Sequence, residues 1–207
     1  MQMILGLTGG IACGKSTVAD FFGKMIPVVA TDKIGHEMLL KGSPAHPDLL
    51  RAFGAGILDG EGHVSREKLA GLVFQDDSKR KTLEGIVHPL IRLEWKKRVH
   101  ELQNRMSHSQ SMVIVEIPLL FEANAEEEFD RIVCVASSQQ TQINRLMKTR
   151  GLVPEEAEKR IRSQMSVAEK MDRSDFVVWN EFHLSHLQRQ VSLLMEKFRL
   201  SAGHELK

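Results

Sequence analysis

Cysteine is scarce in this 207-residue chain: Cys13 and Cys134 lie far apart and form no CxxC or metal-ligand spacing. That argues against a metal cluster and for a reducing, cytoplasmic setting. The histidines are scattered without ligand spacing, so no zinc site is expected. No apolar stretch approaches the ~20 residues that span a bilayer, which argues against membrane insertion. The short apolar start, Met3–Leu7, runs into glycines and reads as a strand rather than a signal peptide. Repeats and low-complexity tracts are absent. The formal net charge is only +1, so no nucleic-acid partner or polybasic anchor is expected, and nothing marks an obligate protein partner.

What is present is the composition of an ordinary globular protein, 42% hydrophobic and 27% charged, long enough for one α/β core with a small added lobe. Short apolar runs read as strands buried on both faces: Met3–Leu7, Val28–Ala30, Met112–Ile117, Ile132–Ala136 and Phe176–Trp179. Ile91, Trp95, Val99, Leu102 and Met106 mark one helical face, and Leu184, Leu187, Val191, Leu194 and Phe198 another. This alternation predicts an α/β fold: a five-stranded parallel sheet flanked by helices.

Two insertions interrupt it. The first, 33–111, is mostly helical, with a turn at Leu58–Gly62 and Ser65 as a candidate cap. The second, 145–173, has a helix end near Gly151 and a helix start at Pro154. It carries eight basic and five acidic residues, a local balance of +3. The pattern thus divides the chain into a core (1–32, 112–144, 174–207), a helical insertion (33–111) and a basic insertion (145–173).

Gly9-Gly10-Ile11-Ala12-Cys13-Gly14-Lys15-Ser16-Thr17 has the full spacing of a phosphate-binding loop between a strand and a helix. The glycines let successive N–H groups face phosphate oxygens, and the helix adds its positive end. Lys15 reaches the β- and γ-phosphates, and the Ser16 hydroxyl serves Mg²⁺. A kinase and a nucleotide-dependent binding protein both use such a loop. Asp32-Lys-Ile-Gly35 spells the DxxG of nucleotide switches, but it lies only 17 residues after Lys15 and no NKxD motif follows. Asp32 closes the second strand, as a base, a positioning group (for Mg²⁺, through a water) or a helix N-cap.

Motifs over nearly the whole chain resemble the dephospho-CoA kinase family: ILGLTGGIACGKSTVADFF, VVATDKIGHEML, GIVHPLI, IVEIPLLFE, QINRLMKTRG, RIRSQM and RSDFVVWN, in that order. The resemblance implies transfer of the ATP γ-phosphoryl, with Mg²⁺, to the ribose 3′-hydroxyl of dephospho-CoA. It implies Asp32 as catalytic base, Thr8 near the reacting phosphates and Arg145 as a lid arginine closing on them. Arg150 and Arg160 match further lid positions, and Asn180 an asparagine near adenine. His88, Pro118, Leu119 and Leu120 match the acceptor side. The resemblance also implies a nucleotide-binding core (1–32, 112–144, 174–207), a helical acceptor-binding lobe (33–111) and a lid (145–173). It implies that lobe and lid close over both substrates and exclude water. The runner-up is another P-loop small-molecule or nucleoside kinase.

The departures are local. Ala12 and Cys13 stand where the family has Gly and Ser, Ala30-Thr31-Asp32 keeps only the last acid of an Asp-Ala-Asp, and Glu181 replaces a small residue. His88 before Pro89 is expected at an extended break between helices, as acceptor-pocket residue or as a hydrogen-bonding tie. Pro118–Phe121 reads as part pocket, part core. Glu116 ends its strand as a Walker B acid does, and Trp179 reads as core. Cys13, near a helix N-terminus, is either a reactive thiol or a filler of a variable position.

Overall fold

The computed structural model describes residues 3–74, 76–106 and 112–204, with side chains up to Leu200. The expected part boundary at 111 lies outside these residues. Each apolar run forms a strand: β1 (Met3–Gly9), β2 (Val28–Ala30), β3 (Met112–Glu116), β4 (Arg131–Ala136) and β5 (Phe176–Trp179). They join one sheet in the order β2-β3-β1-β4-β5. β1 pairs in parallel with β3, setting Leu7 beside Glu116, and with β4, setting Gly9 beside Val135. β4 pairs in parallel with β5, setting Ala136 beside Trp179. The carboxyl ends of these four strands therefore lie along one edge, where ligands bind in such sheets.

The chain divides into two compact units, Met1–Val29 with Leu102–Lys207, and Ala30–Glu101. In the first, α1 (Lys15–Gly23) and the final helix of the described chain (Leu184–His204) belong to the main core. Leu5, Leu7, Val18, Phe22, Ile114, Val133, Val135, Val178, Val191 and Phe198 cluster there. Leu120, Phe121, Ala125 and Ile132 form a second cluster. Gly6 gives Leu120 its room, because a Cβ there would stand 2.8 Å from Leu120 Cδ1.

The second unit holds α2 (Thr31–Glu37), α3 (His46–Phe53), α4 (Arg66–Val73) and most of α5 (Asp77–Arg105). Asp59 Oδ1 accepts from the N–H groups of Glu61 and His63, closing the expected turn. Ser65 caps α4 by accepting from Lys68 N. Arg98 binds Glu94 on its own helix and Glu37 on α2. Glu37, then Glu94, holds the Arg98 guanidinium further toward its charged form.

The first unit continues with α6 (Gln139–Arg150), α7 (Pro154–Arg162) and α8 (Val167–Asp172), and the closing helix is α9 (Leu184–His204). Gly151 ends α6 in the left-handed conformation and Pro154 opens α7, as expected. Ile143, Leu146 and Ala157 pack together, with Ile11 and Ala12 of the loop against them.

Three expectations fail. Pro89 lies inside α5, so His88 is an exposed helical residue whose side chain makes no hydrogen bond to a described residue, neither at a break nor a tie. Proline removes one bond, to Gly85, and costs about 3 kcal/mol in a helix. The helix continues because its apolar face, with Trp95 and Val99 buried, offsets that loss. Trp179 is 37% exposed rather than core, because β5 is the sheet's edge strand. On α9 only the first residue of the expected face departs: Leu184 is exposed at the first turn, whereas Leu187, Val191 and Phe198 are buried, Leu194 packs half-buried against the core, and Met195 joins them.

Candidate active site

β1 ends in Gly9, where the chain turns into the loop. A Cβ on Gly9 would stand 2.3 Å from Val135 O, so β4 admits only glycine at this approach. Gly10 N–H donates to Val135 O, and Cys13 N–H donates to Gly10 O, curling the loop. Gly14 is left-handed at φ +89 and is the N-cap of α1. Thr17 N–H and Val18 N–H both return to Gly14 O. The loop thus enters a helix N-terminus, a site that favours anions.

Lys15 opens α1 and its Nζ donates to Glu116 Oε1 at 2.7 Å, with both side chains 12% exposed. Ser16 Oγ lies 3.5 Å from the same oxygen. The sheet register explains the meeting: Glu116 is the last residue of β3, beside Leu7, just before the loop begins. Among the described residues no group of three His, Cys, Asp or Glu could hold a metal ion. A Mg²⁺ that takes part of its shell from phosphate and water needs fewer protein ligands. Ser16 and Glu116 supply hard oxygen donors that fit it.

Three consecutive loop carbonyls are held from behind. Gln142 Nε2 donates to Ile11 O at 2.7 Å, Arg145 Nη1 to Ala12 O at 3.1 Å, and Asn180 Nδ2 to Cys13 O at 2.8 Å. Arg145 Nη2 also donates to Asn180 O at 3.0 Å. Asn180 follows β5, and its N–H donates to Ala136 O. The structure therefore brings Arg145 and Asn180 to the loop itself, and Arg145 sits mid-way along α6. Arg150 and Arg160 are exposed at the end of α6 and on α7.

Glu181 is no accidental departure. Its carboxylate accepts from Ser138 N–H at 2.9 Å, Ser138 Oγ at 2.7 Å and Thr141 Oγ1 at 2.5 Å, at the start of α6. The Thr141 bond, then those from Ser138, hold the Glu181 carboxyl below the usual range.

Thr8 is fully buried and its hydroxyl donates to Pro118 O at 3.3 Å. Lys170, also fully buried, donates to the same carbonyl at 3.1 Å and pairs with Glu122 at 2.9 Å. Leu119 is 37% exposed, whereas Leu120 is buried beneath Gly6 and so is closed to an acceptor. The +3 balance of 145–173 is thus partly neutralised by acids outside the segment: Lys170 pairs with Glu122, and Arg173 with Glu126. Burial pushes the Cys13 thiol up, against lowering bonds from Ser137, and Cys134 up to about 12. A helix N-terminus does not make Cys13 reactive when its sulfur is shielded.

In the second unit, α2 begins at Thr31 with Ala30 as N-cap, so Asp32 lies in the first turn and not at the cap. Its exposed carboxylate makes no hydrogen bond to a described residue. The DxxG residues are helical, which leaves no switch loop there.

Gln142 and Lys170 are the site-forming residues that sequence spacing missed. Gln142 lies three residues before Arg145 and so shares its helix face. Lys170 gives no such signal, since a lone lysine on a short helix reads as solvent-facing.

The dephospho-CoA kinase family model matches residues 3–186. A dephospho-CoA kinase of Bacillus cereus is 38% identical over 206 residues, covering 97% of this chain and 99% of that one. A solved Thermus thermophilus protein superposes with a TM-score of 0.79 at 31% identity, over 95% of this chain and 97% of that one. A solved dephospho-CoA kinase of Campylobacter jejuni gives a TM-score of 0.72 at 25% identity, over 97% of this chain and 99% of that one.

Proposed function

The chain belongs to the dephospho-CoA kinase family, and from that premise we propose how its residues divide the work of phosphoryl transfer. The protein phosphorylates dephospho-CoA in coenzyme A synthesis, with ATP as co-substrate. The proposal concerns which groups do this, and that the acceptor atom is the ribose 3′-hydroxyl.

The loop from Gly9 to Thr17 binds the ATP phosphates. Its N–H groups and the α1 N-terminus meet the negative charge. Lys15 leaves Glu116 for the β- and γ-phosphates, a like-for-like exchange of anionic partners. Asp32 accepts the proton of the acceptor hydroxyl as the phosphoryl arrives. Its place two residues beyond β2 supports this, as does the lack of a capping bond that would occupy the carboxylate.

Arg145 stabilises charge on the transferring group. In the present structure its guanidinium holds Ala12 O and Asn180 O, so this role requires one of those bonds to be exchanged. Asn180 borders the adenine side, while Thr8 keeps Pro118 in place beside the loop. His88 and Leu119, both exposed, contact the acceptor, with Arg150 and Arg160 closing above the nucleotide. Lobe and lid closure excludes water from the phosphoryl.

Ser16 would hold Mg²⁺, with Glu116 and Asp32 through water. Bound there, the ion would neutralise charge on the β- and γ-phosphates. Among the described residues no helix is long and apolar enough to cross a membrane. Buried, unpaired cysteines suit a cytoplasmic enzyme.

The observation that carries this reading is the loop's own geometry: a left-handed Gly14 opening α1, with Lys15 and Ser16 converging on Glu116. The test follows ADP and coenzyme A together from ATP and dephospho-CoA. Equal yields are expected. ADP without coenzyme A would show that the phosphoryl goes elsewhere.

A further inference from the structure

We propose that Gln142 is a positioning residue for ATP: it sets the peptide plane between Ile11 and Ala12 so that the Ala12 N–H faces the phosphates. The inference rests on the reading of this loop as the ATP phosphate site.

The geometry is specific. Gln142 is 2% exposed, on the buried face of α6. Its Nε2 donates to Ile11 O at 2.7 Å, a bond between residues 131 apart in sequence. The peptide unit is planar and trans, so a carbonyl and the following N–H point in opposite directions. Fixing Ile11 O toward α6 turns the Ala12 N–H away from α6. The same reasoning applies to Asn180, which holds Cys13 O and so turns the Gly14 N–H away. The peptide between Ala12 and Cys13 is fixed at both ends, by Arg145 on Ala12 O and by Gly10 O on Cys13 N–H.

Two further observations bear on this bond. Ala12, next to the carbonyl that it binds, is a non-glycine residue at φ 58, a conformation that costs roughly 1 kcal/mol or more without outside support. Gly10 leaves room for this amide among its neighbours: a Cβ on Gly10 would stand 2.6 Å from Gln142 Nε2, as well as 2.3 Å from Val167 Cγ2 and 2.8 Å from Cys13 Sγ. The chemistry required is a hydrogen-bond donor at one point, which is what the test varies.

Gln142→Met keeps the length and removes the donor. Gln142→Glu keeps the shape and donates only when protonated. The other ionisable groups of this network are Arg145 on the same helix, Cys13 in the loop and Glu181 after β5, all unchanged in these variants. Removing the donor is expected to raise the KM for ATP and the Kd for ADP about tenfold, with kcat and the KM for dephospho-CoA near those of the parent. Position 142 is 2% exposed, and burial raises a carboxyl placed there. Gln142→Glu, ratioed to the parent at the same pH, is therefore expected to bind ADP about tenfold more weakly near pH ~8 and to approach the parent as falling pH returns the proton.

Affinity is scored per folded molecule by calorimetry, with a melt recorded beside it. A lower melting temperature with unchanged ADP affinity would overturn the proposal, because it would mean a structural role alone. A Gln142→Glu profile parallel to the parent's would overturn it too, and this variant can be scored at low pH if Gln142→Met fails to fold. A parent that binds no ADP would overturn the ATP-site reading, and the proposal with it.

Discussion

Lys15 Nζ donates to Glu116 Oε1 at 2.7 Å, tying the first residue of α1 to the last residue of β3. Both side chains are largely buried, so this ion pair is shielded from the solvent that weakens surface pairs. It keeps the loop's lysine at the mouth of the phosphate site before ATP arrives.

Lys15→Ala is expected to lose turnover by about a hundredfold or more and to destabilise the free protein by about 3 kcal/mol, because Glu116 loses its cation. Adding Glu116→Gln removes the carboxylate charge as well. The double variant is expected to regain most of the stability but none of the turnover. Denaturant melts beside initial rates check both. Restored turnover would show that Lys15 serves only to neutralise Glu116.

Ala12→Gly is expected to stabilise the free protein by about 0.5 kcal/mol. The left-handed backbone at φ 58 costs an alanine about 1 kcal/mol or more, and glycine's greater unfolded-state entropy returns part of that gain. Denaturant unfolding measures the difference. A clear loss would mean that the alanine methyl packs with Ile143 and Leu146 strongly enough to outweigh the backbone strain.

Cys13 and Cys134 are expected to resist thiol reagents in the native protein. Both are buried, and burial raises both thiols. Reaction should follow unfolding, and Cys13→Ser should leave oxidant sensitivity unchanged. Fast native labelling of one thiol, with loss of ATP binding, would establish a redox-sensitive loop instead.

Glu181 gives the fold a pH-dependent contribution. Its carboxyl is held below the usual range by Thr141 and Ser138, so the unfolded chain binds its proton more readily. The stabilisation is complete above the unfolded value of about 4.3 and is lost as pH falls through the lower folded value. Thermal melts against pH should show this loss in the parent and a shallower one in Glu181→Gln. Equal slopes would place the acid sensitivity in other carboxylates.

The strands and the loop were legible in the sequence because each is local. Five apolar runs gave five strands, and the glycine spacing gave the phosphate loop. Boundaries such as Gly151 and Ser65 were legible for the same reason, since caps act within one turn. Pro89 misled because local chemistry favours a break there, whereas the burial of Trp95 and Val99 favours continuing the helix. Trp179 misled because strand order decides which strand is the edge, and order is not local. Gln142, Lys170 and Glu181 act on partners 131, 52 and up to 43 residues away. No spacing rule reaches that far. The family resemblance drew attention to position 181 without showing what its carboxylate binds.

The most direct measurement is turnover by Asp32→Asn with ATP and dephospho-CoA, alongside calorimetric ATP binding. The variant removes the proton acceptor and leaves the phosphate loop intact. Coenzyme A formation is expected to fall by about a hundredfold or more, with ATP affinity near that of the parent. Turnover within a few-fold of the parent would contradict the assignment of Asp32 as the base and leave the transfer to positioning by the loop and Arg145.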